Sequence, residues 1–215
     1  MDTNSCSPSG PGAYPSDCEV REGYRKIVRE KAMQNNRSEN WLITLSKAKE
    51  IKLLLLDVDG VLTDGNLIYS HDGKESKSFN TQDGFGLRML QDAGVEVGII
   101  TARSSEALER RAQDLKISRL YQGAANKLIA YKEIVKATGL KPFQIAYMGD
   151  DWLDMVLLKR VGLAVAPANA VIEVKEMVHY TTEQSGGHGA VREICDLILE
   201  GMGKHKELLQ EYSGR

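Results

Sequence analysis

The chain has 215 residues, 42% of them hydrophobic and 27% charged, with 28 Lys+Arg against 30 Asp+Glu and a formal net charge of −2. This composition supports a stable core without disulfide staples, and no long single-sign charge block offers bulk attraction to nucleic acid or an anionic membrane. The longest apolar runs, such as Leu53 to Leu56, fall far short of the roughly 20 residues needed to span a bilayer, so neither a nucleic acid nor a membrane is an expected partner. Cys6, Cys18 and Cys195 are too sparse to read as a disulfide framework, and no basic-then-apolar leader opens the chain. A cytoplasmic location is expected.

Pro8, Pro11 and Pro15 lie among glycines and serines in the first fifteen residues, a composition that cannot bury enough apolar surface to order itself, so residues 1 to about 18 are expected to be disordered. From Glu19 to Glu50, mixed charges interleaved with Tyr24, Ile27, Val28, Trp41, Leu42, Ile43 and Leu45 predict one or two short helices. Residues 1–50 thus read as an N-terminal extension, 51–200 as the main domain and 201–215 as a C-terminal tail.

From Ile51 onward, short runs that are apolar on both faces alternate with amphipathic stretches. The runs are Ile51–Leu56, Val95–Ile100, Ile145–Met148 and Gly162–Val165, with a weaker one at Arg119–Tyr121. They suit central parallel strands. The segments Gly84–Asp92, Glu106–Leu115, Lys127–Thr138, Trp152–Lys159 and Ala190–Leu199 suit crossover helices. The fold class expected is α/β, a doubly wound, Rossmann-like parallel sheet. One segment interrupts the alternation: Leu67–Ser70 and Ser76–Phe79 flank His71-Asp72-Gly73-Lys74, a turn signal that predicts a β-hairpin inserted after the first strand.

In such sheets ligands bind beyond the carboxyl ends of the strands, so the residues just past each run carry the information. They are Asp57-Val58-Asp59-Gly60-Val61-Leu62-Thr63-Asp64-Gly65, Thr101-Ala102-Arg103, Lys127, and Gly149-Asp150-Asp151-Trp152-Leu153-Asp154. Carboxylates converging from two strands repel one another unless a cation sits between them, and an all-oxygen donor set points to Mg²⁺. Metal, carboxylate, hydroxyl and ammonium together suit phosphoryl transfer. Asp57 is placed to attack phosphorus and Asp59 to act as general acid and base. Asp57 and Asp150 would ligate the metal, Thr101 would hold phosphate oxygens and Lys127 would offset negative charge.

The ordered set Asp57-x-Asp59-Gly60-Val61-Leu62-Thr63-Asp64, Thr101, Lys127 and Gly149-Asp150-Asp151-x-x-Asp154 resembles the four motifs of the haloacid dehalogenase superfamily of phosphotransferases. The resemblance implies that the main-chain carbonyl of Asp59 is a further metal ligand and that Asp151 and Asp154 stand behind the ligands or, for one of them, ligate through a water. Only a small hairpin is inserted between the Asp57 and Thr101 strands, so no cap domain is expected. The strings Asp59–Gly65, Phe79–Gly84, Ile100–Ser104 and Gly186–Glu193 resemble the capless group that includes 3-deoxy-D-manno-octulosonate 8-phosphate phosphatases.

That group implies hydrolysis of an eight-carbon sugar-acid phosphate through an aspartyl-phosphate, serving lipopolysaccharide synthesis, in a homotetramer whose neighbours help to close each site. It also contains phosphatases of nine-carbon 2-keto acid 9-phosphates, and a non-catalytic assembly module fused to acylneuraminate cytidylyltransferases. Both remain alternatives at this point. Arg103 is expected to grip the substrate carboxylate and Thr63 to line the sugar side, while the Gly186–Gly189 segment is expected to move as a lid. Ala102 and Asn126 depart from the Gly and Asp expected beside Thr101 and Lys127.

Overall fold

The structure, a computed structural model, describes residues 17–35 and 37–214, with the side chains of 29–35 left aside. The expected disordered stretch lies outside the described residues except for Asp17 and Cys18, which open a helix. The described residues fall into two compact units, divided between Ile43 and Thr44. The first holds α1 (Asp17–Asn35) and the start of α2 (Glu39–Ala48). Ser38 caps α2, its Oγ accepting from the Trp41 N–H at 3.1 Å, and the Arg37 guanidinium stacks 4.1 Å from the centre of the Trp41 ring. Cys18 is disulfide-bonded, although the three sparse cysteines do not read as a disulfide framework, whereas Cys195 is a buried free thiol.

The second unit is built on a six-stranded sheet in the order β5-β4-β1-β6-β7-β8, parallel at every pairing. Its strands are β1 (Leu53–Leu56), β4 (Glu96–Ile100), β5 (Arg119–Tyr121), β6 (Ile145–Met148), β7 (Leu163–Ala166) and β8 (Tyr180–Thr181). The helices that accompany them are α3 (Thr81–Asp92), α4 (Glu106–Asp114), α5 (Lys127–Thr138), α6 (Met155–Leu158), α7 (Ile172–Lys175), α8 (Ala190–Gly201) and α9 (His205–Ser213). The expected α/β fold is therefore the observed one. Leu53, Leu54, Leu55 and Leu56 are all fully buried, which is why β1 is a continuous apolar run rather than an alternating one.

The chain winds outward from β1 to β4 and β5, then returns to the other side of β1 for β6, β7 and β8. The crevice between the ends of β1 and β6 is the place where that direction reverses, the usual ligand position in doubly wound sheets. The inserted hairpin is present as β2 (Ile68–Tyr69) and β3 (Glu75–Ser76), with Ile68 opposite Ser76 and Tyr69 opposite Glu75.

The differences from expectation have local causes. α3 starts at Thr81 rather than Gly84 because Asn80 caps it, accepting from the N–H groups of Gln82 and Asp83. Trp152–Lys159 is a 3-10 turn (Trp152–Asp154) followed by the short α6, since the Asp154 side chain folds back onto the backbone N–H groups of Asp150 and Asp151. The two-residue edge strand β8 and the four-residue α7 are too short to show periodicity. α9 occupies the expected tail yet contains no buried residue. It is steadied at its margins by Tyr212 packing edge-on to Phe85 and by Lys204 Nζ donating to the Ala93 carbonyl at 3.1 Å.

Candidate active site

Asp57 follows β1 directly, its N–H donating to the Met148 carbonyl of β6 at 3.0 Å. Asp150 follows β6 across the crevice. One carboxylate oxygen from each of Asp57, Asp150 and Asp154 lies within 4.8 Å of the others. Lys127, at the start of α5 and 3% exposed, sends its ammonium into this group, 2.9 Å from Asp57 Oδ1 and 2.6 Å from Asp154 Oδ1. Three carboxylates face one ammonium in a place largely closed to water.

That imbalance shows in the acidities. Burial, reinforced by the negative charge of Asp154 and only partly offset by Lys127, raises the Asp57 carboxyl to about 6. Burial together with Asp154, Asp57 and Asp151 raises Asp150 to about 7. Such a set is short of positive charge, and a hard divalent cation with oxygen preference fits it. The side chain of Asp154 is less available than those of Asp57 and Asp150. It is fully buried, with Oδ1 accepting from Lys127 and from the Tyr147 hydroxyl, and Oδ2 accepting from the N–H groups of Asp150 at 3.0 Å and Asp151 at 3.2 Å. Tyr147, wholly buried in β6 and flanked by carboxylates, is pushed well above the usual phenol range and keeps its proton as a donor. Asp151 is exposed and caps the turn that follows, its Oδ1 accepting from the Trp152 N–H at 2.7 Å.

The loop after β1 closes over the crevice. Gly60 has φ of 82°, and a Cβ there would lie 2.0 Å from Asp150 Oδ2; only glycine lets the backbone pass so close to the acid. Thr63 is buried, and its Oγ1 bonds within the loop, donating to the Val58 carbonyl at 3.4 Å and accepting from the Gly65 N–H at 3.3 Å. The structure thus gives it a loop-bracing place rather than a free hydroxyl aimed at a ligand. Thr101, 3% exposed, follows β4 directly, and its Oγ1 accepts from the Arg103 N–H at 3.3 Å.

Asp59 and Arg103 sit on the hairpin side. Lys77 Nζ donates to Asp59 Oδ1 in a short contact, and Arg103 Nε lies 3.5 Å from Asp59 Oδ2. The outer Arg103 nitrogen is also occupied by Glu75 and by the Tyr69 hydroxyl at 3.1 Å. Lys77 completes a ring of charges, 3.1 Å from Glu75 Oε1. Arg103 therefore meets the hairpin's own carboxylate where a substrate carboxylate was expected.

Sequence reasoning passed over four residues that shape this site: Glu75, Lys77, Tyr147 and Asn169. A phenol inside an aliphatic central strand is a usable signal, because a buried tyrosine hydroxyl requires a partner. Asn169 ties two loops together. Its Nδ2 donates to the Gly60 carbonyl at 3.0 Å, and its Oδ1 accepts from the Gly186 N–H at 2.7 Å. A Cβ on Gly186 would fall 1.9 Å from the Gly60 oxygen. The glycine segment expected to move is docked on the loop after β1, with the Gly187 N–H donating to the Val61 carbonyl at 3.1 Å.

Acids from β1 and β6, an ammonium from α5 and a hydroxyl from β4, all at the switch point of a doubly wound sheet, define a haloacid dehalogenase-like phosphohydrolase. A family model described as haloacid dehalogenase-like hydrolase matches residues 118–194. The chain is 44% identical over 163 residues to the 3-deoxy-D-manno-octulosonate 8-phosphate phosphatase KdsC of Escherichia coli K12, covering 76% of this chain and 87% of that one. The crystal structure of the corresponding phosphatase from Yersinia pestis superposes with a TM-score of 0.75 at 44% identity, covering 76% of this chain and 88% of that chain. The Moraxella catarrhalis enzyme, in complex with magnesium, phosphate and KDO, gives a TM-score of 0.77 at 39% identity, with 79% and 98% coverage. The chain belongs to the 3-deoxy-D-manno-octulosonate 8-phosphate phosphatase family of haloacid dehalogenase-like hydrolases, and is a phosphoric monoester hydrolase.

Proposed function

We propose that this chain hydrolyses 3-deoxy-D-manno-octulosonate 8-phosphate to the free sugar acid and phosphate, with Mg²⁺ held by the carboxylates of Asp57 and Asp150 and the main-chain carbonyl of Asp59. The observation that carries the reading is the meeting of Asp57, Asp150 and Lys127 in one crevice, in a chain 44% identical to the E. coli phosphatase. The Moraxella neighbour, which binds Mg²⁺, phosphate and KDO, supports the same metal and product class. When bound, the cation neutralises charge and polarises phosphoryl oxygens.

The rest of the chemistry falls to the protein. Lys127 holds Asp57 Oδ1, leaving Oδ2 to attack phosphorus as the ester P–O bond breaks. Asp59 gives its proton to the departing sugar alkoxide. It then takes a proton from the water whose oxygen attacks the aspartyl-phosphate, and this second displacement frees inorganic phosphate and restores Asp57. Thr101 anchors phosphate oxygens, Arg103 receives the substrate carboxylate after exchanging partners with Glu75, Thr63 shapes the sugar side through its loop, and Asp151 and Asp154 brace the metal loop.

The reading extends to a homotetramer acting in the cytoplasmic supply of a lipopolysaccharide sugar, with residues 51–200 carrying the activity between the N-terminal extension and the C-terminal tail. Among the described residues no helix is long and apolar enough to cross a membrane. Purified protein with Mg²⁺ is expected to release phosphate from the 8-phosphate, and Asp57→Asn to lower the rate at least about a thousandfold. Activity surviving that substitution removes Asp57 as nucleophile. Faster turnover of a nine-carbon 9-phosphate, compared by kcat/KM, overturns the choice of substrate.

A further inference from the structure

We propose that Tyr147 is a positioning residue for the phosphoryl-transfer step, fixing the ammonium of Lys127 against Asp57 through a buried three-way contact with Asp154; the inference rests on the reading of the site given above. An ammonium has three N–H donors. Here Lys127 has three acceptors within reach: Asp57 Oδ1 at 2.9 Å, Asp154 Oδ1 at 2.6 Å and the Tyr147 hydroxyl oxygen at 3.2 Å. The Tyr147 hydroxyl passes its own proton on to the same Asp154 oxygen. Two of these contacts are hydrogen bonds, to Asp154 and Tyr147, and the third is the ion pair with Asp57, so the place of the ammonium beside Asp57 is set by two groups outside the proposed substrate contacts.

The other Asp154 oxygen, through the N–H groups of Asp150 and Asp151, sets the loop that presents Asp150. Tyr147 therefore supports two partners of the reacting centre through one carboxylate: the lysine beside the nucleophile and the acid across from it. Its location makes this specific. The side chain is 0% exposed in the middle of the sheet, so water cannot stand in for a missing hydroxyl without a cavity, and none is created by removing one oxygen from a packed ring.

Tyr131 of α5 is the natural control. It is another buried phenol of the same unit, 6% exposed, yet its hydroxyl has no hydrogen-bond partner among the described residues. Deleting the oxygen from each ring, as Tyr147→Phe and Tyr131→Phe, keeps the ring packing in both and separates filling of the core from positioning. For Tyr147→Phe, kcat on the 8-phosphate is expected to fall roughly tenfold with KM within about twofold, since a small displacement of a catalytic group acts on the transition state more than on binding. Calorimetric titration with Mg²⁺ alone is expected to show Kd weakened about tenfold, the usual consequence of losing an outer support of a metal ligand. Tyr131→Phe is expected to leave both unchanged.

A cycle combining Tyr147→Phe with Asp154→Asn supplies a test that does not rest on the single variant alone. If the two residues act as a unit, the double variant is no worse than Asp154→Asn; multiplicative losses overturn the coupling. Unchanged kcat and unchanged Mg²⁺ affinity in Tyr147→Phe overturn the proposal, as does an equal loss in Tyr131→Phe. A wild-type protein inactive on the 8-phosphate overturns the assigned reaction instead, while the Mg²⁺ titration still reports on Tyr147.

Discussion

The crevice between β1 and β6 and the hairpin side of the site use charge in opposite ways. In the crevice, Lys127, Tyr147 and Asp154 are almost wholly buried and matched donor to acceptor on rigid central elements. On the hairpin side, Arg103 has a 41% exposed side chain, and its partner Glu75 sits on a two-residue strand. A buried network in low dielectric holds one arrangement, whereas a pair with one exposed partner, as Arg103 is to the 15% exposed Glu75, exchanges partners at less cost. On the proposed mechanism the division has a use: Asp57 as nucleophile needs a fixed lysine, and an Arg103 that takes the substrate carboxylate needs a partner that can let go.

The largest expected effect comes from breaking the buried side. Lys127→Met leaves Asp57 and Asp154 facing each other with no ammonium, and removing one member of a buried pair costs about 3–5 kcal/mol. Urea unfolding of the Mg²⁺-free variant at pH 8 is expected to show a loss of that order, reduced when Mg²⁺ is added. Phosphate release should fall roughly a hundredfold or more, as for loss of a preorganised charge at a transferring group. A variant as stable and active as wild type would mean that the crevice is no more constrained than the hairpin.

A pH series sharpens the same contrast. In the folded metal-free protein Asp57 and Asp150 are raised to about 6 and about 7, against 3.8 for an unperturbed aspartate. Between those values the folded state binds more protons than the unfolded chain, so stability falls as pH rises from about 4 to about 7. Thermal melts of metal-free protein should therefore lose ground across that window. Mg²⁺, which favours the ionised acids, should raise Tm more at pH 8 than at pH 5. An equal shift at both pH values would place the metal away from these two carboxylates.

Much of this was legible in the sequence because strand ends in a doubly wound sheet are marked twice, by an apolar run and by the polar residue that follows it. Asp57, Thr101 and Asp150 each stand at such an end, and Lys127 opens a helix whose limits the amphipathic pattern located. The hidden part depends on side chains that reach across the fold. Nothing local to Asn169 says that it joins Gly60 to Gly186, and nothing local to Asp83 says that it accepts from the Arg192 N–H at the start of α8. The same holds for Arg103: its neighbour Thr101 placed it near the site, but the competitor Glu75 comes from a hairpin 28 residues earlier. Periodicity and motif spacing describe a chain's own neighbourhood, and contacts between loops lie beyond their reach.

The smallest effect should come from that competitor. Glu75 is held by Arg103 and Lys77, and the Arg103 guanidinium holds its carboxyl below the usual range, so Glu75 is an anion across neutral pH. If Arg103 must release Glu75 to take a substrate carboxylate, Glu75→Gln removes a rival of like charge and lowers KM for the sugar-acid phosphate roughly two- to fivefold, the worth of a partly exposed ion pair. The value of kcat should stay put because the crevice is untouched, and p-nitrophenyl phosphate, which has no carboxylate, should show no change in KM. Steady-state kinetics on the two substrates separate the possibilities. A raised KM for the sugar-acid phosphate alone would make Glu75 a support that orients Arg103, and the hairpin would then resemble the crevice in holding its groups fixed.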